Sequence, residues 1–168
     1  PEVAKANRIS RLLDEAITES RRVARGLYPV RLSTKGLAPA LEELAASTSS
    51  KSNIRCAFQT EGSEVNCATT TATHLYRIAQ EAVNNATKHS QGNKITIRLA
   101  AADGGIQLEV SDDGKGIPEM PEHDTGMGLH IMNYRARSIG AELRIVGGNT
   151  GTLVSCRVPS DGVDSVET

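Results

Sequence analysis

The sequence predicts an α+β fold: a two-layer α/β sandwich with helices on one face of a mixed sheet, preceded by a long helix. Two observations carry this expectation. The apolar residues switch between helical and strand period in the order strand, helix, two strands, helix, hairpin. Glycine-bearing turns, Asp103-Gly104-Gly105 and the stretch 147–151, sit between strand-like runs at hairpin spacing. At 168 residues the chain suits one ordinary domain plus an appendage, and it can bury a core without disulfide staples.

The leading helix is expected over about residues 2–28. Ile9, Leu13, Ala16, Ser20, Val23 and Leu27 alternate steps of four and three, the seam of a coiled coil or helical bundle, and Leu12, Ile17 and Ala24 widen the stripe. Such a face needs a partner helix from another chain or a missing segment, and Pro29 ends it. The helix starts without a capping preamble, which suggests a cut chain. A short helix over residues 36–46 places Leu37, Leu41 and Leu44 on one side, and residues 47–52 read as a polar loop. Residues 54–60 alternate as a strand, with Ile54, Cys56 and Phe58 on one face. A helix over residues 69–89 shows an apolar face of Leu75, Ile78, Ala79, Ala82, Val83 and Ala86. Strands follow at 94–101 and 106–111, then a Gly- and Pro-containing loop at 112–125. A helix over residues 127–139 stops at Gly140, and strands 142–146 and 152–158 close the fold. Residues 161–168 read as a disordered acidic tail.

Composition narrows the function. With 19 basic and 20 acidic residues there is no electrostatic case for nucleic acid. Cys56, Cys67 and Cys156 are odd in number and lack a Cys or His neighbour at metal-ligand spacing, so they read as reduced thiols of a cytoplasmic protein. No apolar run reaches the roughly 20 residues that span a bilayer, so no membrane contact is expected of this stretch. A membrane anchor in the parent protein would lie upstream of it.

Four short patterns carry chemistry. On the 69–89 helix, Glu81, Asn85 and Lys88 share one face beside the apolar stripe. An Asn oxygen can hold Mg²⁺, and a Lys can offset phosphate charge. From this helix alone a solvated polar face is the simpler reading. Asp112-Asp113-Gly114-Lys115-Gly116-Ile117 puts a carboxylate at a strand end, then two glycines that let the backbone turn and a ligand approach. A carboxylate there can accept a hydrogen bond from the exocyclic amine of adenine, although an ordinary Asp-Gly turn has the same appearance. Gly126-Met127-Gly128-Leu129 opens a helix whose exposed N–H groups and dipole favour phosphate. Gly151-Thr152 brings a hydroxyl into a strand after a tight turn, and by itself is simply a good hairpin.

In this order and spacing, over about residues 54–159, the four patterns resemble the Bergerat-type ATP-binding fold. That fold is shared by histidine kinases, type II topoisomerases, mismatch-repair ATPases and a heat-shock chaperone. The resemblance implies ATP and Mg²⁺ as ligands. It implies that Asn85 binds Mg²⁺, that Lys88 and His89 lie near the phosphates, and that Asp112 holds adenine with Thr152 helping through water. Gly114, Gly116, Ile117, Gly126, Met127, Gly128 and Leu129 would shape the loop and helix start over the nucleotide.

Within that family, the stretch 21–29 with Leu32 and Gly36-Leu37-Ala38-Pro39-Ala40-Leu41 is similar to sensor histidine kinases of the nitrate and lipid-fluidity type. A short loop without a lid Phe and the Met132-x-x-Arg135-Ala136 pattern agree. The resemblance divides the chain into the second helix of a dimerisation module (1–32), an ATP-binding catalytic domain (33–160) and the tail. It implies a homodimer through the leading helix and a response-regulator partner. Asp113 stands where that group usually has Asn, which is expected to add negative charge near the nucleotide. His74, His89, His123 and His130 all lack the context of a phosphoacceptor, so none is assigned that role. The expected reaction passes the γ-phosphoryl of ATP to a His outside this sequence, with Glu81 orienting a proton or a Mg²⁺-bound water. This chain alone is not expected to autophosphorylate. The alternatives are an anti-sigma-type serine kinase and a non-catalytic nucleotide-binding or dimerising module.

Overall fold

The computed structural model describes residues 36–102, 105–116, 127–148 and 150–160. All belong to the second of the two units into which the chain divides, Arg31–Thr168. The leading helix, the boundary near residue 32, the tail, Ile117 and Gly126 lie outside the described residues. The described elements are α1 (Leu37–Lys51), β1 (Arg55–Glu61), α2 (Thr69–His89), β2 (Lys94–Ala102), β3 (Gly105–Asp112), α3 (Met127–Arg137), β4 (Glu142–Gly148) and β5 (Gly151–Val158).

The first helix is longer than its apolar pattern predicts. Instead of a polar loop, residues 47–51 continue α1 to Lys51. Their hydroxyls bond back to the helix: Thr48 Oγ1 donates to Leu44 O at 2.8 Å, and Ser50 Oγ to Ser47 O at 3.0 Å. Ser49 Oγ instead joins the helix to β1, accepting from Cys56 N at 2.8 Å and donating to Cys56 O at 3.0 Å. The polar run is thus a helix end whose side chains reach the next strand.

α2 carries the largest share of helical burial. Leu75, Ile78, Ala79, Ala82, Val83 and Ala86 are all buried, as their spacing requires. Complete burial of Leu75 and Ile78 contributes about 1.5–3 kcal/mol each against leaving them in water. α3 seats itself with Met132 and Ala136, one turn apart and both buried. It stops as expected: Gly140 takes φ 64, and Ala141 N–H returns to Ala136 O at 2.9 Å.

The sheet is mixed, in the order β1-β2-β3-β5-β4. β1 pairs with β2 in parallel, with α2 as the crossover, and the remaining pairs are antiparallel. Its two faces differ chemically. On one, Ile95, Ile97 and Leu99 of β2, Ile106, Leu108 and Val110 of β3, and Val154, Cys156 and Val158 of β5 join the helices in one core. On the other, Arg98 Nη1 donates to Glu109 Oε2 at 3.2 Å, Gln107 Nε2 to Ser155 Oγ at 2.6 Å, and Arg98 also pairs with Glu61. One dry face and one wet face make a two-layer sandwich, the expected fold class.

Candidate nucleotide-binding site

The strand alternation that builds the core also builds the floor of the site. Along β3 the core-facing positions run Ile106, Leu108, Val110, and the next is Asp112. Along β5 they run Val158, Cys156, Val154, and the next is Thr152. At one end of the covered face, apolar side chains therefore give way to a half-buried carboxylate and a half-buried hydroxyl. Asp112 pairs with Ile95, and Thr152 with Gly147. The β3–β5 ladder ends at Ser111↔Leu153, so one further step sets Thr152 opposite Asp112. Gly151, at φ 121, lies so close to the Asp112 carbonyl oxygen that a Cβ there would collide with it.

α2 and the start of α3 stand together. Glu81 is buried, at 6 % exposure, and Asn85 one turn later is half-buried. A Cβ on Gly128 would run into Glu81 Oε1 and lie 3.5 Å from Asn85 Nδ2. The absent side chain of Gly128 is thus the condition for the α3 N-terminus to reach this carboxylate and this amide. The first-turn N–H groups, which have no partner within the helix, and the helix dipole make that end the electropositive part of the arrangement. Met127, 57 % exposed, flanks it, and Leu129 packs against the core. Lys88 and His89 are exposed on the last turn of α2.

The loop after β3 is anchored to the end of α2. Asp112 Oδ1 accepts from Gly114 N–H at 2.9 Å, and Lys115 N–H donates to Ser90 O at 2.8 Å. Gly114 packs on Ser90, and Gly116, at φ 73, on the Gly148 carbonyl. The sequence suggested that these glycines make room for a ligand. In the structure a Cβ at either position would meet other backbone of the same chain, at the α2 end and at the β4 end, so these glycines are required by their own neighbours as well. Ser90 follows Asn85 by five residues, about 7.5 Å of helix rise.

Asp113 has backbone partners of its own that the sequence did not display. Its Oδ1 accepts the backbone N–H groups of Asn93 and Lys94, at 2.8 Å each. The Lys94 amide, then the Asn93 amide, hold its carboxyl below the usual carboxylate range. Ser90 and Gly92 were not singled out from sequence; the Ser-x-Gly turn directly after the helix was the available signal.

The structure therefore brings Glu81, Asn85 and Gly128 together, sets Thr152 beside Asp112, and joins the Asp112 loop to α2 through Ser90. His74 is half-buried, and its Nδ1 is out of solvent without a hydrogen-bond partner. Burial first, and then the nearby Arg135, lower its pKa. His130 is exposed on α3.

Known proteins resemble this chain in sequence and in fold. The sensor protein VraS of Staphylococcus saprophyticus is 29 % identical over 158 residues, covering 94 % of this chain and 45 % of that protein. VraS of Staphylococcus aureus is 28 % identical over 160 residues, covering 95 % and 46 %. The chain thus spans a little under half the length of these curated relatives. Among solved structures, the histidine kinase domain of the Erythrobacter litoralis blue-light activated histidine kinase superposes with TM-score 0.66 at 24 % identity, over 76 % of this chain and 66 % of that one. Full-length ShkA in complex with AMPPNP superposes with TM-score 0.60 at 19 % identity, over 74 % and 29 %. These two share the fold. Residues 70–162, over half of the sequence, match one family throughout, and the chain belongs to it: the histidine kinase-, DNA gyrase B- and HSP90-like ATPases.

Proposed function

We infer that this chain is the ATP-binding catalytic part of a two-component sensor histidine kinase. The parent protein passes the γ-phosphoryl of ATP to a His on a segment outside this sequence. The observation that carries the reading is the meeting of Glu81 and Asn85 with the glycine-opened start of α3, beside a sheet end that presents Asp112 and Thr152. The VraS relatives are named sensor proteins, and the ShkA neighbour was solved with AMPPNP.

Asp112 accepts a hydrogen bond from the exocyclic amine of adenine, and Thr152 reaches the base through water. The phosphates lie against the N–H groups of the α3 start, with Lys88 and His89 offsetting their charge. The residues fit Mg²⁺: Asn85 offers a neutral oxygen in a half-buried position that Gly128 leaves open. Bound there, Mg²⁺ would neutralise the phosphates during transfer. Glu81, buried at the same spot, orients a proton or a bound water. Gly114, Gly116, Ile117, Gly126, Met127 and Leu129 frame the nucleotide. Transfer needs positioning more than covalent chemistry from the protein, which suits a site built from backbone and glycines. The parent kinase is of the nitrate and lipid-fluidity sensor type. It dimerises through residues 1–32, signals to a response regulator, and keeps this domain on the cytoplasmic side.

Titration with a fluorescent ATP analogue tests the reading. Affinity should depend on Mg²⁺ and fall about 10- to 150-fold in Asp112→Ala, the loss of one charged hydrogen bond. Labelled ATP with a supplied His-bearing dimerisation helix should give acid-labile phosphohistidine. Acid-stable phosphoserine on an added protein substrate, or nucleotide affinity indifferent to Mg²⁺ and Asp112, would overturn it.

A further inference from the structure

We propose that Asp113 is a positioning residue. Its carboxylate locks the turn after α2 to the loop after β3, so that Asn85 and Asp112 are held on one rigid unit. The idea rests on the nucleotide-site reading above and adds to it a residue that would not itself touch nucleotide. The geometry is a two-sided clasp. From one side, Asp113 Oδ1 takes the N–H groups of Asn93 and Lys94 at 2.8 Å each, while Asp113 N–H donates to Lys94 O at 3.2 Å. From the other, Ser90 O takes Lys115 N–H at 2.8 Å, and Ser90 Oγ takes Gly92 N–H at 3.0 Å. Three of the five residues after α2, Ser90, Asn93 and Lys94, are thereby bonded to the loop that begins at Asp112.

The clasp leaves no room for a side chain at its centre. A Cβ on Gly92 would collide with Asp113 Oδ1 and lie 2.8 Å from Gly114 N. The same turn holds Gln91 at φ 59, a left-handed conformation that non-glycine residues keep only when their surroundings impose it. Asp112 is the residue before the clasp, and α2 runs back from Ser90 to Asn85. The distance between adenine acceptor and metal-side amide is therefore set through Asp113. An Asn at this position retains an oxygen that can accept both amides, whereas Ala retains none.

The test uses the full 168-residue chain and its Asp113→Asn, Asp113→Ala and Gly92→Ala variants. Two readouts are taken: amide hydrogen exchange at Asn93 and Lys94, and dissociation constants for Mg-ADP and Mg-GDP. Asp113→Ala and Gly92→Ala should lose protection at both amides and weaken ADP binding about tenfold, with GDP binding little changed, so adenine preference falls. Asp113→Asn should retain both protection and preference to within about threefold. General destabilisation would weaken both nucleotides in parallel, and that outcome overturns the proposal. So does unchanged ADP binding in Asp113→Ala. If the wild-type chain binds neither nucleotide, it is the site reading that fails, and the exchange data still decide whether the clasp exists.

Discussion

Replacing Gly128 by Ala sets two opposing effects of known size against each other. Alanine in place of glycine favours a helix by up to about 1 kcal/mol, and less in the first turn where Gly128 lies. Against this stands the added methyl. It would overlap Glu81 Oε1 and lie 3.3 Å from Glu81 Cδ and 3.5 Å from Asn85 Nδ2. Glu81 is buried and engaged in an interaction of its own, so moving its carboxylate aside carries a cost. Overpacking of this kind costs about 1–3 kcal/mol, so the clash wins. Gly128→Ala should lose about 1–2 kcal/mol net, a fall in Tm of about 3–8 °C for a domain of this size. Because the methyl also displaces the carboxylate and amide of the site, affinity for an ATP analogue should drop at least about tenfold. Thermal unfolding by circular dichroism and a nucleotide titration measure the two. An unchanged or higher Tm with unchanged affinity would refute the packing argument. A lower Tm with unchanged affinity would retain the packing and move the nucleotide elsewhere.

Other expectations follow from the same structure. His74 has a lowered pKa, so the unfolded chain binds its proton first and stability falls as pH drops below about 6.5. His74→Gln should flatten that slope, which denaturant melts at pH 7.5 and 5.5 compare; equal slopes would argue against it. Burial pushes the Cys56 and Cys156 thiols up to about 11 and about 12, while half-buried Cys67 is raised for the same reason. A thiol reagent at pH 8 should therefore label the native chain slowly, Cys67 first, and all three cysteines rapidly once denaturant is added. Rapid native labelling of Cys156 would show that β5 does not stay in the core.

What the sequence displayed, and what it hid, divides by the range of the interactions involved. The bounds of α2 follow from a 21-residue apolar period that nothing interrupts, and they emerge as expected. The core-facing rows on β3 and β5 are likewise written in local alternation, which is why Asp112 and Thr152 can be read as the next positions in each. The extension of α1 to Lys51 was hidden because serines and threonines favour loops by propensity, whereas here their hydroxyls turn back onto carbonyls of the same helix or across to β1. The role of Asp113 was hidden more deeply. It depends on amides 20 and 19 residues earlier, brought within reach by the pairing of β2 with β3. The second constraint on Gly114 and Gly116 was hidden for the same reason, since the backbone they pack on, at Ser90 and Gly148, is distant in sequence.

The strand order also bears on how this domain comes apart. Among the described residues β1 has one sheet neighbour, β2, and reaches it through the α2 crossover, whereas β2–β3 and β4–β5 are joined by short turns. An edge strand that no hairpin ties to its neighbour has little to hold it once its one ladder opens. α1 rests chiefly on β1, while α2 also touches β2, β3 and β5. Breathing should therefore begin as α1 and β1 peel off the edge together. Every residue assigned to the nucleotide sits on the other side of that seam, so the domain can fray at one margin while its grip on the ligand persists.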